Sequence, residues 1–200
     1  MEEKSLGHGV KIPSSLWHGK ITDFLTPDLV KLLSKLHKEL NTNRDELLSS
    51  RQTRQEKFDL GDLPKYLNKT STASSTNWKI RPVPADYQTR RVEITGPVND
   101  TKMVINMLSR NESGARADTA MLDFEDSMKP SWNNVVHGIY NVIEASKGTL
   151  SFTKKATKKT SEKKYHLDKN DMAGMMVRVR GLHLSESNIT VDDEPISAGL

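Results

Sequence analysis

Arg91-Val92-Glu93-Ile94-Thr95-Gly96-Pro97 is the stretch on which the fold turns. Polar and apolar residues alternate over 91–95, the period of a strand, and Gly-Pro stops it. Met103, Val104, Met107 and Leu108 then recur at helical spacing within Lys102–Arg110. Thr119–Phe124 is a short apolar strand ending in acids, and Asn133–Ala145, with Val135, Val136, Ile139, Tyr140 and Ile143 on one side, is a second helix. Met175–Arg180 is a third strand, closed by Gly181. Strand, helix, strand, helix, strand predicts a parallel sheet with helices outside it. Three parallel strands with open edges do not finish a domain, and a barrel of eight such units takes roughly 250 residues. The pattern therefore predicts an α/β fold whose residues 76–200 form the first three or so strand–helix units of an incomplete (β/α)8 TIM barrel. A lysine-rich hairpin is expected at about 149–167, and another short hairpin at Asn188–Ile196.

Working toward the N-terminus, residues 59–77 form a connector in which Gly61, Pro64 and a Thr/Ser run break periodicity, placing a boundary near residue 75. Thr26-Pro27-Asp28 combines a cap, a proline at the first helical position and an acid in the first turn. Leu29, Leu32, Leu33, Leu36 and Leu40 follow as an apolar stripe, and Asn43 with Glu46 reads as a second cap opening a helix to about Lys57. Residues 1–75 are thus expected to be an irregular arm of about 25 residues, an α-helical hairpin and a linker.

Composition narrows the classes. The 200 residues carry a net charge of +4, but six lysines (Lys154, Lys155, Lys158, Lys159, Lys163, Lys164) sit in one segment against a single acid, Glu162. The remainder is close to neutral, and the run reads as a solvated loop. No aromatic residue interleaves these lysines, so nucleic acid is not an expected partner. There is no cysteine, hence no disulfide or thiol chemistry. No secretory signal and no apolar run of about 20 residues are visible, so no membrane association is expected, and the glycosylation patterns at Asn68 and Asn188 carry no weight. The six histidines show no metal-ligand spacing; His183, just beyond the third strand, lies where a barrel mouth would be.

Each proposed strand carries charge on one face near its C-terminal end. Glu93 sits in the first, Asp123 and Glu125 flank Phe124 at the end of the second with Asp126 beside them, and Arg178 and Arg180 flank Val179 in the third. Alternate strand residues share a face. At the C-terminal ends of barrel strands such groups converge on the mouth, where carboxylates orient a cation and its waters and arginine binds a carboxylate or developing oxyanion. The plainer reading of alternating charge is a solvated face or a structural salt bridge.

Four blocks in order, Arg90-Arg-Val-Glu-Ile-Thr-Gly-Pro-Val98, Lys102-Met-Val-Ile-Asn106, Asp123-Phe-Glu-Asp-Ser127 and Arg178-Val-Arg-Gly-Leu-His-Leu184, resemble the A-type malate synthase family. Trp78-Lys-Ile-Arg81 and Pro84-Ala-Asp86 resemble the block before them, so the likeness covers roughly residues 20–200. The last block is the specific one. Acidic blocks like Asp123–Ser127 also occur in relatives of the citrate lyase β-subunit, an acyl-CoA lyase alternative; a non-catalytic module binding through its basic loop is the other. The segment Ser109–Asp118 looks longer than the family's turn at that place.

The resemblance implies an acyltransferase of the glyoxylate cycle with acetyl-CoA and glyoxylate as substrates. An aspartate takes a methyl proton from acetyl-CoA, the enolate attacks glyoxylate held on Mg2+, and hydrolysis releases malate and CoA. It places Arg178 as the catalytic arginine, and Glu125, Asp126 and Asp123 near substrate and metal without ligating it. The direct Mg2+ ligands and the aspartate base are expected downstream of this chain, with no metal ligand within it, so the isolated 200 residues are expected to be inactive. The compartment implied is the peroxisome, glyoxysome or cytoplasm; the targeting signal is expected beyond Ala198-Gly199-Leu200, which is not one.

Overall fold

The computed structural model describes residues 2–158 and 160–200, so Lys159 of the lysine run lies outside the described residues. The chain begins with two strands, β1 (Glu3–Gly7) and β2 (Val10–Pro13), and a single helical turn, α1 (Ile21–Phe24). The expected irregular arm is therefore mostly regular. Its partner is remote in sequence: β2 pairs antiparallel with β8 (Ser185–Val191), which pairs with β9 (Glu194–Ser197), giving a sheet ordered β1-β2-β8-β9. The β8–β9 hairpin is the one expected near 188–196.

Helix α2 (Pro27–Asp59) corrects the expected helical hairpin: it is one unbroken helix of 33 residues. Its start is as read, with Pro27 in the first turn and Thr26 Oγ1 accepting the Leu29 N–H at 3.3 Å. No second cap forms at Asn43, because the 41–45 segment stays helical and its polar side chains bond one another: Asn41 Nδ2 donates to Asp45 Oδ2 at 3.1 Å. The buried face is Val30, Leu33, Ser34 and His37 rather than the full leucine stripe; Leu32 and Leu40 are about half exposed. Val30 and Leu33 pack with Val10, Ile21, Leu25, Ile189, Val191 and Ile196 into one core, and Ser34 Oγ donates to the His8 carbonyl at 2.7 Å.

After a short helix, α3 (Thr72–Ser75), the α/β unit begins. Strands β3 (Glu93–Pro97), β4 (Thr119–Asp123) and β7 (Gly174–Arg178) form an all-parallel sheet ordered β3-β4-β7. Helices α4 (Thr101–Leu108) and α5 (Trp132–Lys147) are its crossovers. Asp100 caps α4 through the Met103 N–H at 2.8 Å, and Gly148, at φ 71°, ends α5 in the left-handed conformation that glycine tolerates best. A second core, holding Val98, Val104, Leu108, Ala120, Leu122 and Ala145, lies between sheet and helices. Within it Asn141, fully buried, donates to the Val98 carbonyl at 2.7 Å and accepts from Thr101 Oγ1 at 3.0 Å, tying α5 to the β3–α4 junction.

The lysine-rich segment is an antiparallel hairpin, β5 (Ser151–Lys154) with β6 (Lys163–His166), as the sequence suggested. Phe152 and Tyr165 face each other across it and pack on the second core, while Lys154 stands opposite Lys163. The loop 109–118 is ordered by Asn111 Oδ1, which accepts the Ser113 and Ala115 N–H groups at 3.0 Å each. No helix among the described residues is long and apolar enough to cross a membrane.

Candidate active-site cluster at the strand ends

In the parallel ladder Asp123 pairs with Arg178 on one side and Pro97 on the other, so the last residues of all three strands lie in one row. The row sits at the C-terminal edge of the sheet, where αβ units place functional groups. Ala120, Leu122 and Met175 point to the helix-covered face, so Asp123 and Arg178, one residue out of phase, point to the other.

Asp123 is 1% exposed and organises the turn that follows it. Its Oδ1 accepts the N–H groups of Glu125 (2.9 Å) and Asp126 (3.4 Å), and its Oδ2 accepts the Ser127 hydroxyl at 2.8 Å. The Phe124 N–H donates to the Arg178 carbonyl at 3.0 Å, carrying the ladder one step into the turn. This wrapping turns Glu125 and Asp126 back over β7. Arg178 Nη2 then lies 3.0 Å from Glu125 Oε2, while Nη1 lies 2.5 Å from Asp126 Oδ2 and 3.6 Å from Asp123 Oδ2.

The electrostatics follow from this geometry. Burial pushes the Asp123 carboxyl pKa up, but the Glu125 N–H, the Ser127 hydroxyl, the Asp126 N–H and the Arg178 charge together hold it below the ordinary aspartate value. Hydrogen bonding to Asp126 holds the Arg178 pKa above its ordinary value, with burial working against it. One guanidinium thus faces three carboxylates, and the cluster is net acidic. Asp126, 69% exposed, is the partner most free to leave; Asp123 is fixed.

All four singled-out residues, Arg178, Asp123, Glu125 and Asp126, come together. Arg180 does not join them. It lies past the end of β7, where strand alternation no longer orients it, and its Nη1 pairs with the buried Glu186 Oε2 at 2.8 Å. Glu93 also stands apart, because it opens β3 rather than closing it: it is paired with Thr119 and lies 3.9 Å from Arg90. Among the described residues no group of three or more His, Asp or Glu side chains is arranged to hold a metal ion.

Three contributors escaped the sequence reading. Ser127 shares Asp123 with the turn amides; an acid followed four residues later by serine is a local capping pattern that points to it. Gly181 leaves room beside the cluster: a Cβ there would meet the His183 ring and, at 3.1 Å, Glu125 Oε1. Arg44, in α2, bonds the 182–185 segment from 138 residues away, which no local pattern announces. An apolar groove of about 340 Å3 between α1, α2, α5 and the β8–β9 hairpin passes Val179 and Arg180 but not Arg178, Glu125 or Asp126.

Comparison with known proteins fits this arrangement. The family model for the malate synthase N-terminal domain matches residues 19–72, which is chiefly helix α2 and the connector after it. The chain is 41% identical over 196 residues to malate synthase from Myxococcus xanthus, covering 98% of this chain and 34% of that protein. It is 42% identical over 176 residues to malate synthase A from Escherichia coli, covering 88% and 31%. With the glyoxysomal malate synthase of Glycine max it shares 36% over 184 residues, covering 92% and 31%. The chain thus spans about a third of the length of these relatives. Along nearly its whole length the chain is similar to malate synthases, and residues 19–72 match the N-terminal domain of that family.

Proposed function

We propose that these 200 residues supply one wall of a malate synthase active site: the Claisen condensation of acetyl-CoA with glyoxylate, followed by hydrolysis to malate and CoA, within the glyoxylate cycle. The observation that carries the reading is the row at the strand ends, where Arg178 is held in register beside Asp123 and within 3.0 Å of Glu125. A guanidinium so fixed binds the carboxylate of an α-keto acid bidentately and steadies negative charge developing on a nearby oxygen. Asp126 keeps Arg178 in place beforehand and swings toward solvent when a substrate carboxylate takes its position. Asp123, locked by three donors, holds the rest of the turn still through that exchange.

The sheet is the start of a (β/α)8 barrel in this reading. Ile94 and Val177 on the two outer strands are 40% and 41% exposed, and parallel sheets are otherwise covered on both faces. Further strand–helix units would flank β3 and β7 and close the mouth around Arg178. The reaction's Mg2+ tests this assignment. The acids present here already face Arg178, and no ligand set is formed among the described residues, so these side chains do not by themselves fit a directly bound ion. Its ligands and the aspartate base belong to the remaining two thirds of the enzyme, and no step here runs through the metal. The compartment in this reading is the peroxisome or glyoxysome, in line with the relatives named glyoxysomal, or the cytoplasm.

The 200-residue chain alone is expected to release no CoA thiol from acetyl-CoA with glyoxylate and Mg2+. A thiol-release assay on the purified chain decides the point, and clear turnover would overturn the assignment of base and metal ligands to the rest of the protein.

A further inference from the structure

Arg44 lies in the middle of α2, and its side chain is only 16% exposed. Its Nε donates to the Leu182 carbonyl at 2.5 Å. Its Nη2 lies 3.3 Å from the His183 carbonyl, 3.3 Å from the Leu184 carbonyl and 3.4 Å from Ser185 Oγ. The remaining nitrogen, Nη1, bonds Asn41 and Asp45 of its own helix. Every edge of the guanidinium is used, and its fork collects the carbonyls of three consecutive residues just after β7, of which those of Leu182 and Leu184 also accept from Ser197 Oγ and the Ala198 N–H.

The collected segment is the one that runs from Arg178 past the mouth. At Gly181 the place a Cβ would occupy is taken by the His183 ring, with Cε1 at 2.5 Å and Nδ1 at 2.6 Å, and Glu125 Oε1 approaches the same place at 3.1 Å. The His183 imidazole and the Glu125 carboxylate therefore share one small space, opened by the missing side chain of Gly181. Glu125 is in turn 3.0 Å from Arg178.

We propose that Arg44 is a positioning residue: through the carbonyls of 182–184 the N-terminal helix sets the place of His183, making His183 a further member of the Glu125–Arg178 cluster. The helix that the family's N-terminal domain contributes is thereby coupled to the strand-end site rather than packed beside it. Its meaning for catalysis rests on the malate synthase reading; the coupling itself does not.

The test follows the His183 ring Cε1–H signal by NMR in the 200-residue chain, together with amide exchange of Leu184 and Ala198, whose N–H groups bond Gly181 and Leu184. In the parent, Glu125→Gln shifts the His183 signal. Arg44→Ala abolishes that response and speeds exchange of both amides by about tenfold or more, the loss expected for charge-assisted bonds. Arg44→Lys, which keeps the charge but not the fork, restores both in part. Gly181→Ala displaces the ring directly, so the response to Glu125→Gln disappears while exchange stays slow. The proposal is overturned if the parent shows no response, if the response survives Gly181→Ala, or if Arg44→Ala speeds exchange while His183 still responds, since Arg44 would then serve only the loop. Should Arg44→Ala fail to fold, Arg44→Lys and Gly181→Ala decide it: partial loss with the first and full loss with the second support it, and no loss with either overturns it. No turnover is measured, so failure here leaves the malate synthase assignment standing, and an inactive enzyme leaves this coupling standing.

Discussion

Asp123 and Arg178 are ladder partners at the last positions of adjacent parallel strands, and Asp123 Oδ2 lies 3.6 Å from Arg178 Nη1. The pairing joins a structural task to a chemical one. Asp123 spends its oxygens on the turn amides and Ser127, and the turn so formed delivers Glu125 and Asp126 to the guanidinium.

Replacing Asp123 with Asn keeps the shape but turns an amide toward groups that donate. A buried polar mismatch of this kind costs about 2 kcal/mol at pH 7, read as a lower urea midpoint with unchanged slope. The Asp123 pKa is depressed in the folded chain, so its contribution is present above the unfolded value near pH 3.9 and is lost as pH falls through the lower folded value. The gap in stability between parent and Asp123→Asn is therefore expected to narrow below about pH 4. A gap that stays constant down to pH 2 contradicts this account.

Gly138→Ala sets two effects against each other. Alanine is favoured over glycine inside a helix by about 1 kcal/mol. A Cβ at 138, however, would meet the Val98 side chain at a distance no real contact allows and Phe124 Cε1 at 2.9 Å, inside the second core. Overpacking costs about 1–3 kcal/mol, so net destabilisation is expected; a raised Tm contradicts the packing described between α5 and β3.

Asn141→Leu removes the donor to the Val98 carbonyl and the acceptor for Thr101 at a fully buried position. Both partners are left unsatisfied, and roughly 2–4 kcal/mol of stability should disappear despite the gain in apolar surface. Chemical denaturation measures it, and a neutral outcome would mean that water replaces the side chain.

Lys154 stands opposite Lys163 in the β5–β6 ladder, a like-charge pair that weakens a hairpin. Lys154→Glu is expected to raise stability by a few tenths of a kcal/mol, less at high salt. A loss above about 1 kcal/mol would instead mark Lys154 as part of a structural contact.

Much of this was legible in local pattern. Both crossover helices, the three parallel strands, both hairpins and the Thr26–Pro27 helix start follow from spacing and caps that the structure reproduces. The four-residue cluster was legible because the acids and the arginine sit at strand ends, where parallel register brings them together without further information. What escaped depends on partners far away in sequence. Residues 3–13 are strands because β8, about 180 residues on, offers β2 an edge. Helix α2 runs through Asn43 because a local capping pattern competes poorly with an uninterrupted run of helical hydrogen bonds, and Arg44 there has carbonyls to hold. Glu93 was assigned to the wrong strand end because alternation reveals a strand but not which residue ends it.

The most direct test joins residues 1–200 to the remaining two thirds of the Escherichia coli relative and measures thiol release from acetyl-CoA with glyoxylate, with Arg178 and with Arg178→Lys. An ammonium keeps the charge but lacks the bidentate fork, so kcat is expected to fall by about 100-fold or more while the fold is retained. An active parent whose Arg178→Lys variant keeps near-normal kcat would contradict the central role given to Arg178 at the strand ends.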